Sequence, residues 1–183
     1  DIERSLAPYR KVLVAGCGTC VTVCFAGGEK EVAILASMLR MKDSVAGRNR
    51  EITEYTMKRQ CEWEYLDAAA DRIKEAECVL SLGCGVGVQA IAERFPDIIV
   101  LPGLNTSFLG LPQEAGVWGE RCAACGNCIL EYTAGICPFA RCAKGLLNGP
   151  CGGSVGGKCE VSPDVPCAWQ LIIERLTRLR LLD

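Results

Sequence analysis

At 183 residues, half of them apolar, the chain is long enough for one domain of ordinary size, or for one with a small appendage. Its formal net charge of −2 gives no electrostatic reason to expect nucleic acid or a membrane surface as a partner, no apolar run approaches a membrane span, and no signal peptide is legible, so a cytoplasmic setting is expected. Fourteen cysteines and no histidine exclude every imidazole-ligated metal site and every histidine-based acid-base mechanism.

The first hundred residues alternate strand and helix signals. Residues 11 to 16, KVLVAG, are a short β-branched and apolar run ending in glycine, as expected of a buried parallel strand. A helix is predicted from Gly28 to Arg40, with Val32, Leu35, Ala36 and Leu39 on one face, and the polar stretch from Met41 to Arg50 reads as a loop. Residues 51 to 60 alternate as a second strand. A second helix, about Glu64 to Glu77, would bury Leu66, Ala69, Ala70 and Ile73. CVLSLGCG at 78 to 85 gives a third strand, GVQAIAERF a third helix and IIVLPG at 98 to 103 a fourth strand. Four such alternations predict an α/β fold with a small open parallel sheet, Rossmann-like, with right-handed crossovers over residues 1–105.

This register puts Cys17, Cys61 and Cys84 at the carboxyl ends of strands, the edge where open α/β sheets bind ligands. Cys20 and Cys24 follow Cys17 as C-x2-C-x3-C. A metal site of Cys17, Cys20, Cys61 and Cys84 is expected, with Cys24 as the alternate to Cys20. Cys78 falls inside a strand and reads as a small core residue. A dinucleotide site is not expected, because the third fingerprint glycine is replaced by Val21 after Gly16-Cys17-Gly18 and by Val88 after Gly83-Cys84-Gly85.

Residues 106–121 hold Pro112 and several glycines with no sustained period and read as a linker. The segment from 122 to 183 differs in kind. Between Cys122 and Cys167 it places eight cysteines in forty-six residues, with few large apolar side chains, so apolar burial is too small to order it and thiolate-bound metal is the natural substitute. Cys122, Cys125 and Cys128 form C-x2-C-x2-C, the run that in bacterial ferredoxins wraps one four-iron cluster, and Cys137 is followed by proline as in that motif, though after a longer gap. Cys142, Cys151, Cys159 and Cys167 bring the number of thiols to the eight that two such clusters need; which thiol serves which cluster stays open. Disulfides are disfavoured, because the cysteines share a chain with an α/β unit that has its own core. A C-terminal helix is predicted with Asp164 as N-cap, Pro166 in its first turn and Trp169, Ile172, Ile173, Leu176 and Leu179 on one face, closing the protein's own core.

Taken together, GCGTC, RQCEWE, CGVGVQA, PGLNTSFLG, CAACGNC, GICPFARC, LLNGPCGG, GKCEV and CAWQLI resemble the cysteine-rich subunit that accompanies the flavin-bearing subunit of methylenetetrahydrofolate reductase in acetogenic bacteria. The resemblance covers nearly the whole chain, and NGPCGG followed by GKCE is its most specific part. It implies an oxidoreductase subunit of an anaerobe's one-carbon, acetyl-CoA pathway metabolism, with two or three four-iron clusters on the cysteines named above. It also implies a hetero-oligomer, in which a partner carries FMN or FAD and a further iron-sulfur or flavin subunit donates electrons. No catalytic residue and no substrate site are expected in this chain. The competing expectation is a zinc-thiolate module that serves docking alone, and a mixed inventory with zinc at one site is compatible with the same residues.

Overall fold

A computed structural model of the chain describes residues 2–114 and 116–182, which fall into two compact units, Asp1–Thr106 and Ser107–Asp183. The first unit runs α1 (Ile2–Leu6), β1 (Lys11–Cys17), α2 (Cys20–Val23), α3 (Glu29–Val45), β2 (Glu51–Met57), α4 (Trp63–Ala68), α5 (Ala70–Glu75), β3 (Cys78–Ser81), α6 (Gly85–Arg94) and β4 (Ile99–Pro102). Its four strands form one all-parallel sheet in the order β2-β1-β3-β4, the small α/β sheet predicted from the alternation.

Both faces of this sheet are covered, which explains why its central strands are continuous apolar runs. Val12 and Val14 of β1 point into one layer with Leu6, Val32, Ala36, Leu39 and Leu80, while Leu13 and Ala15 point into the other with Leu66, Ile73, Val79, Ile91 and Phe95. Fully buried leucines and isoleucines such as Leu80, Ile73 and Ile91 each contribute about 2 kcal/mol of transfer free energy.

Several boundaries differ from the sequence pattern. The helix predicted to end at Arg40 continues as α3 to Val45, and the polar stretch after it is structured. Gly47, at φ 64°, ends it: its N–H donates to the Ser44 carbonyl and the Arg48 N–H to the Asp43 carbonyl, the paired bonds of a left-handed helix stop. Asp43 in the last turn is buried and makes ion pairs with Arg48 at 2.8 Å and with Arg50 at 3.5 Å, and Arg48 also reaches Glu3 at 2.7 Å. The polar residues that look like a solvated loop are therefore an internal charge network. The helix predicted over 64–77 is two pieces that meet at the buried Ala69, whose φ of −97° and ψ of 1° lie off the helical values. Strand β2 stops at Met57 rather than near Gln60, and β3 at Ser81 rather than Gly85. The short helices α1 and α2 have no sequence signal of their own.

The second unit contains β5 (Leu109–Glu114), β6 (Val117–Cys122), α7 (Pro138–Arg141), β7 (Lys158–Cys159), β8 (Ser162–Pro166) and α8 (Ala168–Leu179). Residues 106–121, expected to be a linker, mostly form the antiparallel hairpin β5-β6, with Gly116 at φ 84° supplying the turn conformation that the glycine content serves. The C-terminal helix begins later than expected. Asp164 and Pro166 lie in β8, because Lys158 pairs with Pro166 and the Cys167 N–H donates to the Gly157 carbonyl at 2.8 Å, holding the backbone extended up to Cys167. Of its predicted apolar face only Ile172 is buried, while Ile173 and Leu179 are exposed, so the helix closes its own unit over a narrow stripe. Among the described residues of this unit only Thr133, Pro138, Cys167, Ala168 and Ile172 are buried. Among the described residues of the whole chain, no helix is long and apolar enough to cross a membrane.

Replacing Asp43 with alanine would strand the guanidinium of Arg50, itself 4 % exposed, without its carboxylate. The expected loss is about 3 kcal/mol or more in urea unfolding followed by helical circular dichroism. Glu54→Ala, which breaks only the solvent-facing pair with Arg40, is expected to cost less than about 1 kcal/mol in the same measurement.

Candidate metal centres

The connection from β1 runs to β2 on one side of the sheet, and the connection from β3 runs to β4 on the other, so the strand order reverses between β1 and β3. The crevice beyond the carboxyl ends of those two strands is the natural ligand edge of such a sheet. Cys17 is the last residue of β1, and Cys84 is the N-cap of α6. Cys61 lies four residues beyond β2. Its thiol is pushed up chiefly by burial and further by the thiols of Cys17 and Cys84, so Cys61 stands within electrostatic reach of each. Cys20 opens α2, and the Arg59 guanidinium, held by Glu62 at 3.2 Å, also feels the thiols of Cys61 and Cys20. Cys24 caps the other end of α2 and is exposed.

A buried polar network holds this edge in place, and sequence reasoning missed it. The Gln60 side chain is fully buried; its Nε2 donates to the carbonyls of Ala15 at 3.1 Å and Gly16 at 3.0 Å, and its Oε1 accepts from Ser81 Oγ at 2.7 Å. Ser81 Oγ in turn accepts from the Gly83 N–H at 3.1 Å. One glutamine thereby ties the ends of β1 and β3 to the residue that precedes Cys61. Gly83 lies so close to Gln60 Oε1 that a Cβ would collide with it. Nothing periodic marks a buried glutamine; its only trace in sequence is a polar residue standing directly before a cysteine at a strand end.

In the second unit Cys122 ends β6, while Cys125 and Cys128 follow it, all three exposed. Cys137 is the N-cap of α7 and Cys142 its C-cap, Cys159 ends β7 and Cys167 is the N-cap of α8. Backbone N–H groups already point at sulfur: Ala124 donates to Cys122 Sγ and Gly153 to Cys151 Sγ, each at 3.4 Å. The Gly153 N–H holds the Cys151 thiol below its ordinary value, with the Lys144 ammonium acting in the same direction. A small cavity of about 20 Å³, open to solvent, is lined by Cys142, Cys151, Cys159 and Cys167, with Lys144 and Glu160 in its wall. Lys144 and Glu160 form an ion pair.

All fourteen cysteines are free thiols. Among the described residues no three Cys, Asp or Glu side chains are gathered to hold a single ion. The donor set is nonetheless sulfur-only, clustered at element ends and supplied with N–H donors, and it fits a thiolate-preferring metal group. Cys78 differs from all of these. It is fully buried at the start of β3, and burial pushes its thiol up to about 11.

An acid whose folded value is raised contributes stability that is complete below its unfolded value, about 8.5 for cysteine, and that is lost as pH rises toward the folded value. Between pH 8.5 and 10.5 the wild type is therefore expected to lose up to about 1.4 kcal/mol per pH unit more than Cys78→Ala does. Urea midpoints of the two proteins across that range check it, the other cysteines cancelling in the difference.

No curated protein and no solved structure matches the chain. One family model does, over residues 101–183: it is described as methylene-tetrahydrofolate reductase C terminal, and its span takes in all eight cysteines of the second unit. Residues 101–183 are thus similar to the methylene-tetrahydrofolate reductase C-terminal family, and they follow an α/β unit with thiols at the carboxyl ends of its strands.

Proposed function

We propose that this chain is the electron-transfer subunit of a methylenetetrahydrofolate reductase complex, with its cysteines holding iron-sulfur clusters and a partner subunit carrying the flavin. The observation that carries the reading is the conjunction of eight thiols with five buried residues among those described in the second unit, together with the match of residues 101–183 to a family associated with this reductase. A unit so poor in apolar burial needs another source of order, and metal-thiolate bonds are the one its composition offers. Iron-sulfur clusters, when bound, supply one-electron steps that a partner's flavin can collect in pairs.

The chain's own residues would do three things. Cys17, Cys61 and Cys84, with Cys20 or Cys24, would hold one group at the sheet edge, where the Gln60 and Ser81 network keeps their backbones in place. The eight thiols of the second unit would hold two more. The N–H groups of Ala124 and Gly153 would stabilise negative charge on sulfur and so help set the potential. The electron donor would be another iron-sulfur or flavin subunit, and the complex would work in the cytoplasm.

Protein purified without oxygen is expected to be brown and to contain about eight to twelve iron atoms per chain, as two or three four-iron clusters require. Fewer than four irons per chain, accompanied by stoichiometric zinc, would replace this reading with a zinc-thiolate docking module.

A further inference from the structure

The geometry points to a division of the second unit's thiols into two complete sets: Cys142, Cys151, Cys159 and Cys167 hold one iron-sulfur cluster, and Cys122, Cys125, Cys128 and Cys137 hold another. The kind of metal rests on the electron-transfer reading; the grouping rests on the cavity and the backbone. The first four cysteines line one shared cavity, and none of the other cysteines lines it. They arrive from four separate places: the end of α7, the glycine turn around Gly152 at φ 78°, the end of β7 and the start of α8.

Hydrogen bonds that leave three of these sulfurs free hold the frame together. Lys158 pairs with Pro166, the Cys167 N–H donates to the Gly157 carbonyl, and Trp169 Nε1 donates to the Leu146 carbonyl at 2.9 Å, tying the start of α8 to the loop that follows Cys142. Among the described residues, Cys151 Sγ has polar neighbours in the Gly153 N–H, the Lys144 ammonium and Glu160 Oε2, the last at 3.9 Å. The cavity wall carries two cations, Arg141 and Lys144, against one carboxylate, Glu160, a lining suited to four thiolates around a metal group.

Cys137 and Cys142 cannot be exchanged between the sets without cost. They cap opposite ends of α7, about 7.5 Å apart along its axis at 1.5 Å per residue. Helix α7 packs against both β6 and α8, so it stands between the two sets, and Cys137, absent from the cavity wall, falls to the C-x2-C-x2-C run. A ferredoxin sends the fourth cysteine of such a run to the other cluster. Here each set serves its own.

The test compares the anaerobically prepared wild-type chain with Cys151→Ala, Cys159→Ala, the double variant and Cys125→Ala, by iron and zinc content and by paramagnetic resonance after reduction. Cys151→Ala, Cys159→Ala and the double variant are expected to lose or convert the same single cluster signal, the double doing no more than either single. Cys125→Ala should affect a different signal and leave that one intact. A double variant that affects two signals, or a Cys125→Ala chain that affects the same signal as Cys151→Ala, overturns the division. A wild type without any iron-sulfur signal instead removes the electron-transfer reading on which the division depends. Because some variants could fail to fold, a crystal of the wild-type chain measured at the iron and zinc edges gives a second answer. Iron within bonding distance of all four cavity sulfurs is expected, and zinc there, or iron bound to a mixed set, overturns the proposal.

Discussion

Both faces of the parallel sheet in the first unit are buried, and the rest of that unit follows from this constraint. A strand covered on both sides has no polar face to offer, so β1 and β3 are apolar along their length and the helices α3 and α6 lie on opposite layers. Reactive side chains then have one good exit, the turns beyond the carboxyl ends of the strands. Cys17 ends β1 and Cys61 and Cys84 lie in the turns beyond the strands, while Cys78, only a few residues from Cys84, is at the closed end of β3 and is sealed in hydrocarbon.

The second unit answers to the opposite condition. With five buried residues among those described, its hairpins and short helices have too little apolar contact to be ordered by oil alone. Its glycines are placed accordingly. Gly126, Gly135, Gly149 and Gly152 all adopt positive φ, with nothing near the position a Cβ would take, so they are there for backbone conformation rather than for close packing. Chain that turns this often presents N–H groups inward, and two of them already meet sulfur. The family match over residues 101–183 falls largely on this unit, and the proposed role in electron transfer rests on its eight thiols.

Charged residues were the harder part to read. From Met41 to Arg50 the polarity is that of a solvated loop, yet Asp43, Arg48 and Arg50 face one another and close the end of α3. The stretch before Cys122 misled for a related reason: proline and glycine break periodicity whether the chain is a tether or a tight hairpin, and only the pairing of β5 with β6 distinguishes the two. Asp164 had the chemistry of a helix cap, but pairing between β7 and β8 outweighed it and moved the start of α8 to Ala168.

The alternation of apolar runs and amphipathic helices was enough to establish a parallel α/β sheet, because burial on both faces writes itself into local composition. The cysteine spacing likewise set the segment after residue 121 apart, and among its described residues only five are buried. Which sulfur stands beside which was decided only in three dimensions. The placement of Cys61 near the ends of β1 and β3 follows from Gln60 bonding to both strands, and the cavity shared by Cys142, Cys151, Cys159 and Cys167 is braced by bonds such as that from Trp169 to Leu146. Contacts between residues so far apart in the chain leave no period in sequence, since each is a single hydrogen bond whose partner is set by the path of the backbone between them.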